Sequence, residues 1–170
     1  ISTGTGGVEN SPTPIFYFTF ESNSGAGTNV TDNSVGSTAH DATLVGSTWE
    51  TVSPIVGTYS LATTDGNRTT VANHADLNLE YDSPWSYTCW VNHSGINWAG
   101  IYSRRDGVGG DYRGIAMFLL GRRLQVLIIS VYGTVGVDDR SIWMQGTLQV
   151  GSGTDSHVVV TYDGSTNGSG

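Results

Sequence analysis

Acidic side chains in two glycine-rich loops could bind a hard cation. Asp106 and Asp111 bracket the loop Asp106-Gly-Val-Gly-Gly-Asp111, and Asp138 and Asp139 are adjacent in a second loop. Ca²⁺ prefers about six to eight oxygen ligands, which Asp side chains and loop carbonyls supply. We therefore expect these four aspartates to be Ca²⁺ ligands where the two loops meet at one rim of the fold. The alternative is that they bond nearby backbone amides, as Asp commonly does in turns.

Aromatic side chains near loops and strand ends could form a saccharide-binding surface. A sugar ring stacks its C–H face on an exposed Trp or Tyr, and neighbouring polar side chains bond its hydroxyl groups. One member of the pair Arg104-Arg105 would face such a ligand, because successive side chains of a strand point to opposite faces. The candidate ligand-binding residues are Trp98, Tyr102, Arg104, Tyr112, Tyr132 and Trp143. Alternatively, the aromatic residues only cap the fold and the arginine pair marks an exposed strand end.

No constellation in the sequence predicts an enzyme. The nearest match to the carboxylate run of a glycoside hydrolase is Glu80-Tyr81-Asp82, which has no second Glu, and Pro84 would interrupt the strand that such a run requires. No Gly-x-Ser-x-Gly elbow is present. The histidines form no HExxH motif and no close pair along the chain, which argues against a transition-metal site. We therefore expect no catalytic residues.

The charge of the chain limits its partners. Fifteen acidic residues oppose seven basic ones, all of them Arg, for a formal net charge of −8 at pH 7. Such a chain cannot neutralise a phosphate backbone in bulk and lacks the polybasic clusters that bind anionic lipid. It also has no apolar run of transmembrane length. We expect no nucleic-acid partner and no membrane insertion.

Short alternating segments bounded by Gly, Asn, Asp or Pro predict an all-β fold. A helical period is missing, apart from one short turn over residues 75–79. Residues 126–131 are apolar on both faces, apart from Ser130, and predict a central, covered strand. Cys89 lies in an alternating apolar run, so we expect a buried, unreactive thiol. The predicted strands are 15–20, 42–45, 57–62, 68–71, 85–92, 100–104, 114–120, 124–131, 141–150 and 156–162.

The order and spacing of several segments resemble those of a known family. The segments are FTFESNSGAGTNVTDNSVGSTAHDATLVG, GTYSLATTDGNRTTV, HADLNLEYDSPWSYTCWVNHSG, AGIYSRRD, GIAMFLLGRRLQVLI and HVVVTYDGS. Together they resemble laminin-G-like domains of the concanavalin A-like lectin/glucanase superfamily over residues 15–165. The resemblance implies an antiparallel jelly-roll β-sandwich, whose concave face and rim loops bind glycans or proteins, often with Ca²⁺.

The resemblance also implies a domain organisation. Residues 1–13 are small, polar and interrupted by Pro, which indicates a flexible leader or linker. Residues 14–170 would form the laminin-G-like sandwich, but family members continue after TYDGS with further strands. We therefore expect a domain that is incomplete at its C-terminus. It would be either a fragment of a longer protein or a subunit whose sheet a neighbouring subunit completes.

The resemblance favours a non-catalytic adhesion module that binds a glycan or a surface protein. The resemblance implies an extracellular location, on a cell surface or a virion. The alternative is a structural decoration or fibre domain within a larger assembly, for example a viral one. A glucanase-type glycoside hydrolase is the least favoured of the three.

Overall fold

The computed structural model describes residues 14–15, 17–21, 26–34, 38–79, 83–95, 98–106, 113–131 and 140–165. Over these residues the chain is all-β, with antiparallel sheets and one short 3₁₀ turn. None of the helical structure in these ranges is long and apolar enough to cross a membrane. The strands belong to two compact units, Ile1–Leu77 and Asn78–Gly170. The all-β prediction is therefore confirmed.

The first unit is built on two small sheets. One has the strand order β1-β2-β5, and the other pairs β3 with β4. Alternation is clear in β2, where Ala42 and Leu44 are buried. They pack with Val30 in a hydrophobic cluster. The elements are β1 (Asn29–Val30), β2 (Ala42–Val45), β3 (Thr48–Glu50), β4 (Ser60–Ala62), β5 (Arg68–Val71) and the 3₁₀ turn Ala75–Leu77.

The strand predicted over residues 15–20 is wrong for the part of that segment that is described. Two of its backbone N–H groups bond to side chains: the Tyr17 N–H donates to Asp32 Oδ1 (2.8 Å) and the Thr19 N–H donates to Asn33 Oδ1 (3.2 Å), whereas the Tyr17 carbonyl accepts the Asn33 N–H (2.6 Å). These side-chain acceptors replace the carbonyl groups of a partner strand. Phe18 still packs against the hydrophobic cluster, as the apolar alternation predicts.

The carboxylate of Asp32 organises the first unit. It is 8% exposed, and Oδ1 accepts the backbone N–H groups of Tyr17 (2.8 Å) and Ser34 (2.9 Å). Oδ2 accepts the Ser34 hydroxyl and the His40 N–H, both at 2.9 Å. Burial raises the pKa of Asp32, but these hydrogen bonds outweigh burial and hold the pKa below its ordinary value. A single charged group thus ties three chain segments together.

The second unit resembles a sandwich of two antiparallel sheets. The larger has the order β10-β9-β8-β7, and the smaller pairs β11 with β6. Side chains of both sheets form one hydrophobic cluster, which includes Met117 and Val126 from the larger sheet and Trp85 and Val160 from the smaller. The strands are β6 (Trp85–Val91), β7 (Trp98–Asp106), β8 (Arg113–Leu120), β9 (Arg123–Val131), β10 (Arg140–Gln149) and β11 (Ser156–Tyr162).

Strand β9 is central, as its two apolar faces predict. It lies between β8 and β10, and Val126, Ile128 and Ile129 are all buried. The two-residue turn Gly121-Arg122 joins it to β8, with positive φ at both residues (55° and 66°), as a type I′ hairpin requires. The tight turn fixes the register of β8 against β9, on which the candidate site depends.

Cys89, on β6, is partly buried and packs against the hydrophobic cluster that the two sheets of the second unit share. Burial raises the pKa of its thiol, which lowers the thiolate fraction at neutral pH. The partial burial of Cys89 agrees with the prediction that it packs as a small apolar side chain.

We predict that Asp32→Ala lowers the free energy of unfolding by about 2–3 kcal/mol, because one buried and several part-buried donors lose a charged acceptor. Urea denaturation followed by circular dichroism measures this loss. The matched control is Asp65→Ala, at an exposed turn position of the same unit, and it should change stability by less than about 0.5 kcal/mol. Equal losses in the two variants would contradict the organising role of Asp32.

We also predict that Cys89 reacts slowly with Ellman's reagent at pH 8, since its thiol is shielded and its pKa is raised. The reference is the double variant Cys89→Ser/Val159→Cys, in which the single thiol replaces a side chain that is 56% exposed. We expect labelling of Cys89 to be at least about 10-fold slower. Equal rates would show that Cys89 is accessible.

Candidate functional site

The larger sheet of the second unit has an inner and an outer face, which the strand register assigns. Met117 pairs with Val126, and both side chains belong to the shared cluster on the inner face. Their chain neighbours Phe118 and Gln125 pair with each other. Because successive side chains of a strand alternate, Phe118 and Gln125 lie on the outer face.

Two tryptophans extend this pair across the whole outer face. The indole of Trp98, on β7, stacks on Phe118 with ring centroids 4.4 Å apart and an interplanar angle of 11°. The Nε1–H of Trp143, on β10, donates a hydrogen bond to Gln125 Oε1. We call Trp98, Phe118, Gln125 and Trp143 the tryptophan strip. It crosses all four strands, linked in turn by ring stacking, strand pairing and a hydrogen bond.

The strip has a buried middle and two exposed ends. Trp98 is 62% exposed and Trp143 is 64% exposed, whereas Phe118 and Gln125 are buried. Neighbouring strands lie about 4.8 Å apart, so the two indoles are separated by at least roughly 14 Å across the sheet. Each indole is held by a buried neighbour, which lowers the entropy cost of presenting it to a ligand.

Tyr102 and Arg104 lie on the inner face of the same sheet. Tyr102 pairs with Met117, and its ring lies 5.4 Å from that of Tyr87. Burial raises the pKa of Tyr102, and the neighbouring Arg104 offsets part of that rise. The Arg104 guanidinium donates a hydrogen bond to Asn78 Oδ1. The structure therefore separates these two candidate residues from Trp98 and Trp143.

A β-bulge explains the separation. Uninterrupted alternation along β7 would place Trp98, Tyr102 and Arg104 on one face. The register of β7 against β8 shifts between Gly100 and Tyr102, which inserts Ile101 and reverses the alternation beyond it. Trp98 therefore points outward, whereas the later two residues point inward.

The same shift brings a different arginine to the outer face. Arg105 pairs with Gly114, and its Nε–H donates to Ser103 Oγ at 3.1 Å. The sequence pattern predicted that one arginine of the pair would face the site, but a bulge cannot be located without the partner strand. The sequence analysis also missed Phe118 and Gln125. An apolar strand pattern does not show whether a buried side chain belongs to the hydrophobic cluster or supports an exposed residue on the opposite face.

Most of the predicted calcium ligands lie outside the described residues. Strand β7 ends at Asp106, whose backbone pairs with Arg113. The calcium candidates Asp111, Asp138 and Asp139 fall in ranges that the structure does not describe, and so do the saccharide-binding candidates Tyr112 and Tyr132. Calcium binding therefore stays a prediction.

A cluster of side chains with metal-binding atoms lies in the first unit. One ligand atom from each of His40, His74 and Asp76 lies within 4.8 Å of the other two. The sequence analysis found no close histidine pair, because His40 and His74 are far apart along the chain. The spacing His74-Ala75-Asp76 is a local signal that could have indicated part of this cluster.

No protein-family model, curated protein or solved structure matches this chain. The resemblance to laminin-G-like domains therefore receives no support from known proteins. Function has to be inferred from the side chains that the fold brings together.

We predict that Gln125→Met releases the indole of Trp143 from its hydrogen bond. In a ¹⁵N–¹H spectrum, the Trp143 indole resonance, identified with Trp143→Phe, should move and exchange faster with solvent. The loss of one hydrogen bond should also cost about 1 kcal/mol of stability. The control is Gln145→Met, at an exposed position paired with Gln125 on β10. A shift of the same size in the control would contradict the proposed support of Trp143.

Proposed function

We propose that this protein is a non-catalytic module that binds a saccharide on the tryptophan strip. The supporting observation is the presence of two exposed, oriented indoles on one face of one sheet. We further propose that the sandwich is of the concanavalin A-like jelly-roll type. It would serve adhesion to a glycan or surface protein outside the cell, on a cell surface or a virion.

The chemistry of the outer face suits a sugar. The indoles of Trp98 and Trp143 are flat apolar surfaces on which the C–H face of a pyranose ring can stack. Arg105, Ser103 and Gln145 share this face and supply polar groups for hydroxyls. Arg105 would also favour a saccharide that carries a carboxylate or sulfate.

The four strands that carry the strip favour binding over hydrolysis. A glycosidase places two carboxyl groups roughly 5–10 Å apart across the sugar ring. The sequences of strands β7 to β10 contain one acidic residue, Asp106. These strands therefore do not supply the pair of carboxylates that hydrolysis on this face would need.

An open side of the sandwich favours a second role, as a structural domain of a larger assembly. Strands β10 and β11 are edge strands of the two sheets described here. A groove beside them is lined by apolar side chains that include Leu124, Met144 and Val160. Exposed edges of this kind accept a strand from another chain. A neighbouring subunit that completes the sheet would bind here.

We predict weak binding of the whole protein to a saccharide on a glycan array, with a Kd between micromolar and millimolar. Trp98→Ala and Trp143→Ala should each weaken binding on the order of 10-fold, because each removes a stacking surface. The control is Trp90→Ala: this side chain is 49% exposed but belongs to β6 of the smaller sheet. Titration calorimetry with the saccharide that binds most strongly on the array measures the Kd of all three variants.

The array is run with and without Ca²⁺, which tests the calcium prediction in the same experiment. Equal weakening by Trp90→Ala would contradict the strip as the binding surface. If no saccharide binds and light scattering shows an oligomer, the structural role is supported instead.

A further inference from the structure

Three side chains with metal-binding atoms meet at one end of the β2–β5 pair. Ala42 lies directly opposite Val71 in this antiparallel pairing. His40 lies just before Ala42 and His74 lies just after Val71, so both histidines are at the same end of the two strands. The 3₁₀ turn that follows His74 places Asp76 beside both of them.

The three side chains lie close enough together to share one small cation. His40 Nε2 lies 3.4 Å from Asp76 Oδ2, and His74 Nδ1 lies 3.1 Å from Asp76 Oδ1. Ligands bound to tetrahedral zinc at about 2.0–2.1 Å are separated from each other by roughly 3.3–3.4 Å. The imidazole rings lie 4.9 Å apart and are inclined by 61°. The two histidines approach different oxygens of Asp76, and one ligand atom from each of the three residues lies within 4.8 Å of the others. Rotation of these side chains would bring the three atoms to the spacing of zinc ligands.

The buried ring of His40 gives a second reason, separate from these distances, to expect a ligand here. The residue is 4% exposed, and its Nε2 has no hydrogen-bond partner, although Asp76 Oδ2 lies 3.4 Å away. A buried nitrogen of this kind is costly in a native protein and needs an explanation. The backbone N–H of His40 bonds to Asp32 Oδ2 at 2.9 Å, so the ring is presented from a fixed main chain.

We propose that His40, His74 and Asp76 bind Zn²⁺. Two imidazole nitrogens and a carboxylate oxygen are typical zinc ligands, whereas Ca²⁺ prefers oxygen ligands alone. His74 Nδ1 would exchange its long hydrogen bond from the Asp76 N–H (3.3 Å) for the metal. This site belongs to the first unit and does not depend on the tryptophan strip.

Three protein ligands leave one coordination position of a tetrahedral ion for water or another small ligand. The side chains of His74 and Asp76 are 41% and 39% exposed, so the ion can be reached from solvent. Bound Zn²⁺ would tie the start of β2 to the chain that follows β5 and so stabilise the folded first unit.

The test uses the whole protein after treatment with a chelator. Titration calorimetry with Zn²⁺, checked by elemental analysis after dialysis, should give one ion per chain and a higher melting temperature. Co²⁺ should give the visible absorption of a four-coordinate site. His74→Ala and Asp76→Asn should each weaken zinc binding by at least about 10-fold. Both replace exposed side chains, so the test does not depend on altering the buried His40.

The control is His157→Ala, at an exposed histidine on β11 of the second unit, and it should bind zinc as the parent does. The proposal is overturned if no zinc binds, which would leave a contact between two histidines and an aspartate without a metal. It is also overturned if His74→Ala and Asp76→Asn bind as tightly as the parent. Displacement of Zn²⁺ by an equal concentration of Ca²⁺ would overturn the assignment to zinc.

Discussion

The register of antiparallel strand pairs determines which side chains of this protein can act together. Residues that lie directly opposite each other in such a pair leave the same face of the sheet. The pairing of Phe118 with Gln125 therefore places two supports side by side, one under Trp98 and one under Trp143. A shift of one residue in either strand would turn the support on that strand into the core, and the indole that it holds would lose its buried neighbour.

Acidic side chains in the described loops bond mainly to backbone amides. Glu21 Oε1 accepts the N–H groups of Thr58 and Tyr59, and these bonds lower the pKa of Glu21. Glu50 is held in the same way by the amides of residues 52 and 53, and its pKa is likewise lowered. Asp32 does this for three segments at once. Part of the large negative charge thus orders loops and needs no cation there.

The two proposed sites make different demands on the fold. The strip needs a stiff platform, because each indole must hold its orientation while it stays exposed, and the four paired strands supply this. The cluster of His40, His74 and Asp76 needs convergence of two distant chain segments, which the β2–β5 pairing and Asp32 supply. Each site therefore lies where local hydrogen bonding already restricts the backbone.

Much of the strand content was accessible from the sequence. The segments 42–45, 68–71 and 156–162 have the bounds that their alternation predicts, and β9 is central as its apolar faces require. The segment 15–20 was predicted wrongly, because an apolar alternation does not reveal that Asp32 and Asn33 side chains would take the place of a partner strand.

By itself, the sequence determined the all-β class, because the alternation of apolar and polar residues is a local property of each segment. Only the tertiary structure decided which faces carry the candidate functional residues. The bulge at Ile101 exists only relative to β8, and the meeting of His40 with His74 exists only through the pairing of β2 with β5. Both depend on contacts between residues far apart in the chain, and no local pattern encodes those contacts.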